Sequence, residues 1–213
     1  NTGKNAVQTY LDVLAFIGLE TFTDKTSLFV PQAEKKRAGE ILENHFGEKK
    51  YLVGLNPGAS RPAKRWLKER FAMLADRLAE ERDAGIIFFA GPSEKGLLDE
   101  IKALVKGDHL FIEKESLPRV AALIGSCGLF ITNDAGPMHV AGALGVPVVA
   151  LFGPGDPSIW FPYPGNKGNI AIRKEVNCCG KDECTQDHRC MKEITVDEVF
   201  EAASHILERF VKQ

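Results

Sequence analysis

The run Asn133-Asp134-Ala135-Gly136-Pro137-Met138-His139 sets a carboxylate, two small residues and an imidazole close together. Ala135 and Gly136 leave backbone N–H groups uncovered, Pro137 suits a first helical turn, and Asp134 reads as the N-cap. Such a helix start can hold a diphosphate through N–H groups, with no side-chain charge. The same residues also make an ordinary capped strand-to-helix turn. His139 reads either as a hydrogen-bonded structural histidine or as a catalytic group. A second cluster holds Arg61, Lys64, Arg65, Lys68 and Arg70 against one acid, Glu69. Cations at a helix start oppose its dipole by about 0.3–1 kcal/mol each, and a bound anion would remove the conflict. A solvated helical face is the plainer alternative. Glu94, behind Gly91-Pro92-Ser93, suits a ribose diol and equally a first-turn acid.

Two nucleotide signatures are missing. The first strand is followed by Asn56-Pro57-Gly58-Ala59-Ser60 rather than G-x-G-x-x-G, and Leu97 stands where a P-loop lysine would follow Gly91 to Gly96. This disfavours dehydrogenases and P-loop NTPases. Among the 5 cysteines, Cys127 sits in an apolar segment and reads as a small buried hydrophobe. Cys178, Cys179, Cys184 and Cys190 crowd together with His188. Their spacing lacks the paired C-x2-C pattern of a zinc site. A metal, a disulfide and free thiols in a surface loop all stand open, with free thiols ahead.

The elements that must position these groups follow from the apolar pattern. The 213 residues are 44% apolar and 26% charged, which fits one large domain or one domain plus part of another. Charges of 27 and 29 leave a net −2, unlike a protein held to nucleic acid by overall charge. The longest apolar run, Val140 to Phe152, is broken by Gly142, Gly145 and Pro147 and is far short of the ~20 residues that span a bilayer. The first residues show neither a signal pattern nor an initiator Met, which suggests a trimmed, cleaved or partial chain.

Residues 4–18 carry helical spacing, KTSLFV reads as a short strand, and Pro31 opens a helix to about His45. From Lys50 onward strands and helices alternate: YLVGLN, GIIFFA, HLFIE, GLFITN, PVVALFG and NIAIR are strands. Helices follow around Leu67–Leu78, behind Ser93, behind Ser116 and at MHVAGAL. Thr195 and Glu198 make a capping box for the last helix. Strands without polar alternation are buried on both faces, so the pattern predicts an α/β fold with a Rossmann-like parallel sheet covered by helices. Ligands of such sheets bind beyond the strands' carboxyl ends, where both clusters fall.

NDAGPMHVAGALGVPVVALFGPGDP resembles glycosyltransferase family 9, the ADP-heptose:lipopolysaccharide heptosyltransferases. NPGASRPAKRW, FFAGPSEK and the cysteine stretch ending CMKEIT extend the resemblance, in order, over about Lys50 to Leu207. It implies the C-terminal half of a GT-B fold: residues 1–48 would be the tail of an N-terminal acceptor domain and linker, and 49–213 the sugar-nucleotide domain. It implies that Ser60 and Lys64 contact the donor diphosphate, with Lys64 stabilising the leaving group. Glu94 would hold the ribose, and Glu115 and Ser116 would meet the adenine through their backbone. Asp134, Ala135, Gly136 and His139 would surround diphosphate and sugar. Many heptosyltransferases carry Thr or Ser where this chain has Ala135, so a hydroxyl contact is lost there.

The implied reaction is inverting transfer from an ADP-sugar donor to a lipopolysaccharide core (Kdo–lipid A) acceptor at the membrane surface. The expectation is a cytoplasmic protein, peripheral at the inner membrane, monomeric, with no cofactor, no metal and no nucleic acid. The general base would lie outside this chain. Rival readings are another GT-B sugar-nucleotide enzyme, such as an epimerase, and a nucleotide-binding module without catalysis.

Overall fold

A computed structural model describes residues 4–20, 23, 25–47, 49, 51–91, 94–161, 168–176, 184 and 187–210. The apolar runs form strands β1 (Tyr51–Asn56), β2 (Ala84–Phe89), β3 (Leu110–Ile112), β4 (Leu129–Asn133), β5 (Val148–Phe152) and β6 (Ile170–Arg173). They make one sheet in the order β3-β2-β1-β4-β5-β6, with every neighbouring pair parallel. Val53 of β1 pairs with Ile86 of β2 on one side and Leu129 of β4 on the other. The chain therefore reverses its direction of travel between β1 and β4, and a crevice opens beyond their carboxyl ends.

Helices cover both faces, as the unbroken apolar strands require. On one face lie α3 (Lys68–Arg82), α4 (Lys95–Lys102) and α9 (Val196–Phe210). They bury Phe71, Leu74, Leu98, Ile101, Val199 and Leu207 against the sheet. Each such side chain is worth about 1.5–3 kcal/mol relative to exposure. The capping box of α9 forms: Thr195 N–H donates to Glu198 Oε2 at 2.9 Å and Glu198 N–H to Thr195 Oγ1 at 3.2 Å. On the other face lie α2 (Gln32–Phe46), α5 (Leu117–Gly125) and α6 (Gly136–Ala143), around Val30, Leu42, Leu123, Met138 and Phe152. Two single turns, α7 (Pro157–Trp160) and α8 (Arg189–Lys192), complete the elements.

One expectation changes, and one expected helix forms without a core. KTSLFV is not a strand: residues 25–30 have no sheet partner. Only Val30 is buried, against the α2 side of the core, while Phe29 is 85% exposed. The apolar run is used at one position and does not join the sheet. Helix α1 (Ala6–Phe16) forms, with Asn5 Oδ1 accepting from Val7 N–H at 3.1 Å, but it buries none of its residues. Tyr10, Val13, Phe16 and Ile17 face solvent. Asn5 Nδ2 ties its start to the carbonyl of Phe161 at 3.0 Å.

Behind β3, Asp76 of α3 accepts N–H bonds from Lys106 and Gly107 and meets His109 Nε2 at 3.0 Å. Burial pushes its carboxyl up, but the Gly107 N–H, the His109 ring and the Lys106 N–H outweigh this and hold it below the usual 3.8. A carboxyl depressed by folding stabilises the fold above its unfolded value, and that contribution disappears as pH falls through the folded value. Thermal melts from neutral pH into this acid range should show wild type losing an increment that Asp76→Asn never has. Parallel melting curves for the two proteins across that range would remove Asp76 as a source of acid sensitivity.

Candidate functional site

Beyond β1 the chain turns through Pro57, Gly58 and Ala59, all buried, and then surfaces at Ser60 and Arg61. A 3₁₀ turn, Pro62–Lys64, brings it back, and Trp66 re-enters the core. Lys64 is thereby aimed across the crevice at the end of β4. Its Nζ donates to Asp134 Oδ2 at 2.6 Å, with side-chain exposures of 22% and 6%. This pairing explains a one-residue difference from the sequence reading. Asp134 is not the N-cap of α6; Ala135 is, with extended backbone and no side-chain cap bond, because the Asp134 carboxylate is turned to Lys64. The first N–H groups of α6 are left without a side-chain cap.

His139 lies one turn into α6, on its exposed side. Loss of solvent around the ring lowers its pKa from the usual 6.5; Asp134 acts against this and Lys64 with it. The imidazole therefore sits among the same charges as the Lys64–Asp134 pair. Glu94 stands at the N-cap position of α4, and its Oε2 accepts the Gly91 N–H at 3.0 Å. Its carboxylate lies over Gly58, filling the place where a side chain would be. Gly155 is likewise filled by the Asp134 carboxylate. A Cβ on Gly153 would stand 2.8 Å from the carbonyl oxygen of Ala63 and 3.0 Å from Met191 Sδ.

Lys64, Glu94, Asp134, Ala135, Gly136 and His139 thus border one crevice at the switch between β1 and β4. Ser60 is on its rim. Glu115 and Ser116 lie behind β3 at the edge of the sheet, two strands from β1, where Glu115 Oε2 accepts from Arg119 Nη1 at 3.3 Å. The basic stretch is not a general anion cluster. Arg65 Nε donates to the Ala59 carbonyl at 2.8 Å, Lys68 pairs with Glu100, and Arg70 donates to the carbonyls of Lys192 and Ile194. Unlike Arg65, Lys68 and Arg70, Lys64 is turned into the crevice, because α3 starts only at Lys68 and its first turn faces the α8 side.

The sequence reading passed over three buried polar residues that shape the site: Asn56, Thr132 and Asn133. Their signal is plain in hindsight, since β1 and β4 both end apolar runs on asparagine. Cys127 is buried as expected, and burial pushes its thiol up to about 12. Cys184 is a free thiol whose sulfur accepts the His188 N–H at 3.1 Å. Cys190 is free but buried beside Met191, not in a surface loop. Cys178 and Cys179 lie outside the described residues. A cavity of about 470 Å³ sits at the opposite, amino end of β4 and β5, among Cys127, Leu144, Gly145 and Arg209, and touches none of the crevice residues.

The imidazole supplies a pH signature. Loss of solvent holds the free His139 ring below its usual value; a polyanion beside it would raise that value, so binding takes up a proton and tightens as pH falls. ADP titrations between about pH 7.5 and 5.5 should show this slope in wild type and a flattened one in His139→Gln. Identical slopes would place His139 outside the binding site.

The parallel sheet order and the helices on both faces define a Rossmann-like α/β domain. The family model of glycosyltransferase family 9 (heptosyltransferase) matches residues 1–189. The chain belongs to that family. It is 34% identical over 167 residues to lipooligosaccharide heptosyltransferase 2 of Campylobacter jejuni, covering 75% of this chain and 52% of that protein. The crystal structure of the family 9 glycosyl transferase from Veillonella parvula superposes with a TM-score of 0.86 at 28% identity, covering 98% of this chain and 61% of the other. E. coli ADP-heptose LPS heptosyltransferase II superposes at 0.69 and 28% identity, covering 86% and 54%. The chain spans about half the length of the curated relatives it matches.

Proposed function

We propose that this chain is the donor-binding half of an inverting heptosyltransferase that moves a heptosyl group from ADP-heptose to a lipopolysaccharide core acceptor. The observation that carries this is Lys64, held by Asp134 at 2.6 Å beside the start of α6, which has no side-chain cap. When an acceptor hydroxyl attacks the anomeric carbon, ADP leaves from the other face and negative charge grows on its diphosphate. Lys64 has three N–H donors, and Asp134 uses one. The others, with the N–H groups at Ala135 and Gly136, supply positive charge already in place when the bond breaks. Ser60 reaches the diphosphate from the rim, Glu94 holds the ribose diol, and Glu115 and Ser116 border the adenine. The general base belongs to the other half of the enzyme.

In this reading residues 49–213 are the sugar-nucleotide domain and 1–48 the tail of the acceptor domain with its linker. α2 is the part of that linker docked on α5, through the buried Ala38 and Leu42. No helix of the described residues is long and apolar enough to cross a membrane. We place the protein in the cytoplasm, as a monomer reaching a Kdo–lipid A acceptor at the inner membrane surface. Ala135 favours a second reading, a related enzyme with another donor sugar, because the side chain beside Asp134 has no hydroxyl.

Calorimetry with ADP, UDP and CMP, each with EDTA or magnesium, tests the proposal. ADP should bind preferentially and equally in both conditions, since fixed protein charges meet the diphosphate. Preference for UDP would move the chain to another donor class. ADP binding that EDTA abolishes and magnesium restores would make Asp134 a metal ligand and end the lysine account.

A further inference from the structure

Lys64 and Ser60 sit on a ten-residue loop, 57–66, whose two ends are fastened by one side chain. Asn133, fully buried at the end of β4, donates from Nδ2 to the carbonyl of Pro57 at 2.8 Å and to that of Gly58 at 3.3 Å. Its Oδ1 accepts the N–H of Trp66 at 3.0 Å. The amide thus spends both its donor and acceptor ends on the start and the finish of one loop. Asn56, at the end of β1, adds a bond from Nδ2 to the Gly58 carbonyl at 3.2 Å and another to Thr132 Oγ1 at 3.1 Å. Thr132 in turn donates to the Asn133 carbonyl at 2.8 Å. Trp66 is further pinned through its indole N–H to the Ile194 carbonyl at 2.9 Å.

We propose that Asn133 is a positioning residue for the donor site, setting the aim of Lys64 by clamping both ends of the loop that carries it. The proposal rests on the donor-site reading above and adds to it a residue that does not itself face the crevice. The physical case is one of satisfaction and reach. Pro57, Gly58 and Trp66 are buried, so their backbone groups must find partners inside the protein. No strand of the described residues pairs with them, and an asparagine at the switch reaches all three. Asn133 follows Thr132 and precedes Asp134, so the residue that closes the loop is covalently next to the one that pairs with Lys64. Loop and partner are therefore fixed to the same strand end. A lysine on a long flexible stem gains most from such fixing, because a displacement of even about 1 Å weakens a positioned contact severely.

Asn133→Asp keeps the shape and the acceptor for Trp66 N–H but turns a carboxylate oxygen toward two carbonyls. Asn133→Ser, smaller and neutral, serves where the aspartate variant fails to fold. ADP affinity is measured below each variant's melting temperature, alongside Val149→Ala as a core substitution away from the loop. The expected result is ADP binding weaker by about tenfold in the Asn133 variants and unchanged in Val149→Ala. In a Lys64→Ala background the Asn133 change should add almost nothing, since its effect passes through that lysine. Trp66 gives a second readout: in a Trp160→Phe background it is the only tryptophan left of 2. Acrylamide should quench it more strongly in Asn133→Asp than in Val149→Ala. If Lys64→Ala binds ADP as wild type does, the donor reading falls and the proposal with it. If Lys64→Ala is weak while folded Asn133 variants bind normally, the clamp alone is overturned. Losses that add fully in the double variant overturn it as well.

Discussion

Lys64→Ala should bind ADP about 1.5–3 kcal/mol more weakly than wild type, roughly ten- to a hundredfold, the usual range for a lost charge-assisted hydrogen bond. The structure gives the substitution two effects that must be separated. One is the lost contact with the diphosphate. The other is an orphaned carboxylate, because Asp134 is 6% exposed and has Lys64 as its ion-pair partner. A buried charge stripped of its partner is strongly destabilising and would also repel the ligand. The double variant Lys64→Ala/Asp134→Asn removes the orphaned charge. Its melting temperature should recover toward wild type while ADP affinity stays low. If affinity recovers together with stability, Lys64 serves only to neutralise Asp134. Calorimetry showing equal ADP affinity in Lys64→Ala and wild type would remove Lys64 from the site altogether.

Gly136→Val should abolish ADP binding and leave the melting temperature nearly unchanged. The Gly136 backbone does not enter the left-handed region, and a Cβ would meet no protein atom within 4 Å. The protein itself tolerates a side chain at this position. The space it would fill lies at the first residue of α6, where the backbone N–H groups are uncovered. A branched side chain would shield those groups from a diphosphate. Gly145→Ala is the converse. Its φ of +78° suits glycine, so the alanine variant should lose about 1 kcal/mol of stability while binding ADP normally. Normal ADP binding by Gly136→Val would reduce the segment to a plain strand-to-helix turn.

The sheet was legible because β1, β2, β4 and β5 are apolar without alternation, a pattern that burial on both faces produces and little else imitates. KTSLFV is apolar only over its last three residues and has no partner strand among the described residues, and whether such a run joins a sheet is decided by chain far away in sequence. The misplaced N-cap has a similar cause. Asp134 has the right type for capping α6, but its carboxylate is taken by Lys64, 70 positions earlier. The basic stretch misled in the same way: Arg65, Lys68 and Arg70 are committed to partners that charge counting does not reveal. The six crevice residues were legible from residue types and from their place after strand ends, whereas Glu115 and Ser116, which came from the family resemblance alone, lie two strands away. The asparagine clamp escaped notice because one polar residue at a strand end looks like the beginning of a loop.

For redesign of donor choice, the walls of the crevice are unequally open to substitution. Gly58, Gly153 and Gly155 are sterically saturated by Glu94, by Ala63 with Met191, and by Asp134. A mutational library built at those positions would mostly sample displaced neighbours rather than new crevice shapes. Ala135 is different. It is only half-buried and sits between the Asp134 carboxylate and the α6 start. Serine or threonine there would add a hydroxyl at a half-buried position. If the donor-site proposal holds, variation in sugar preference should be sought first at this half-buried residue.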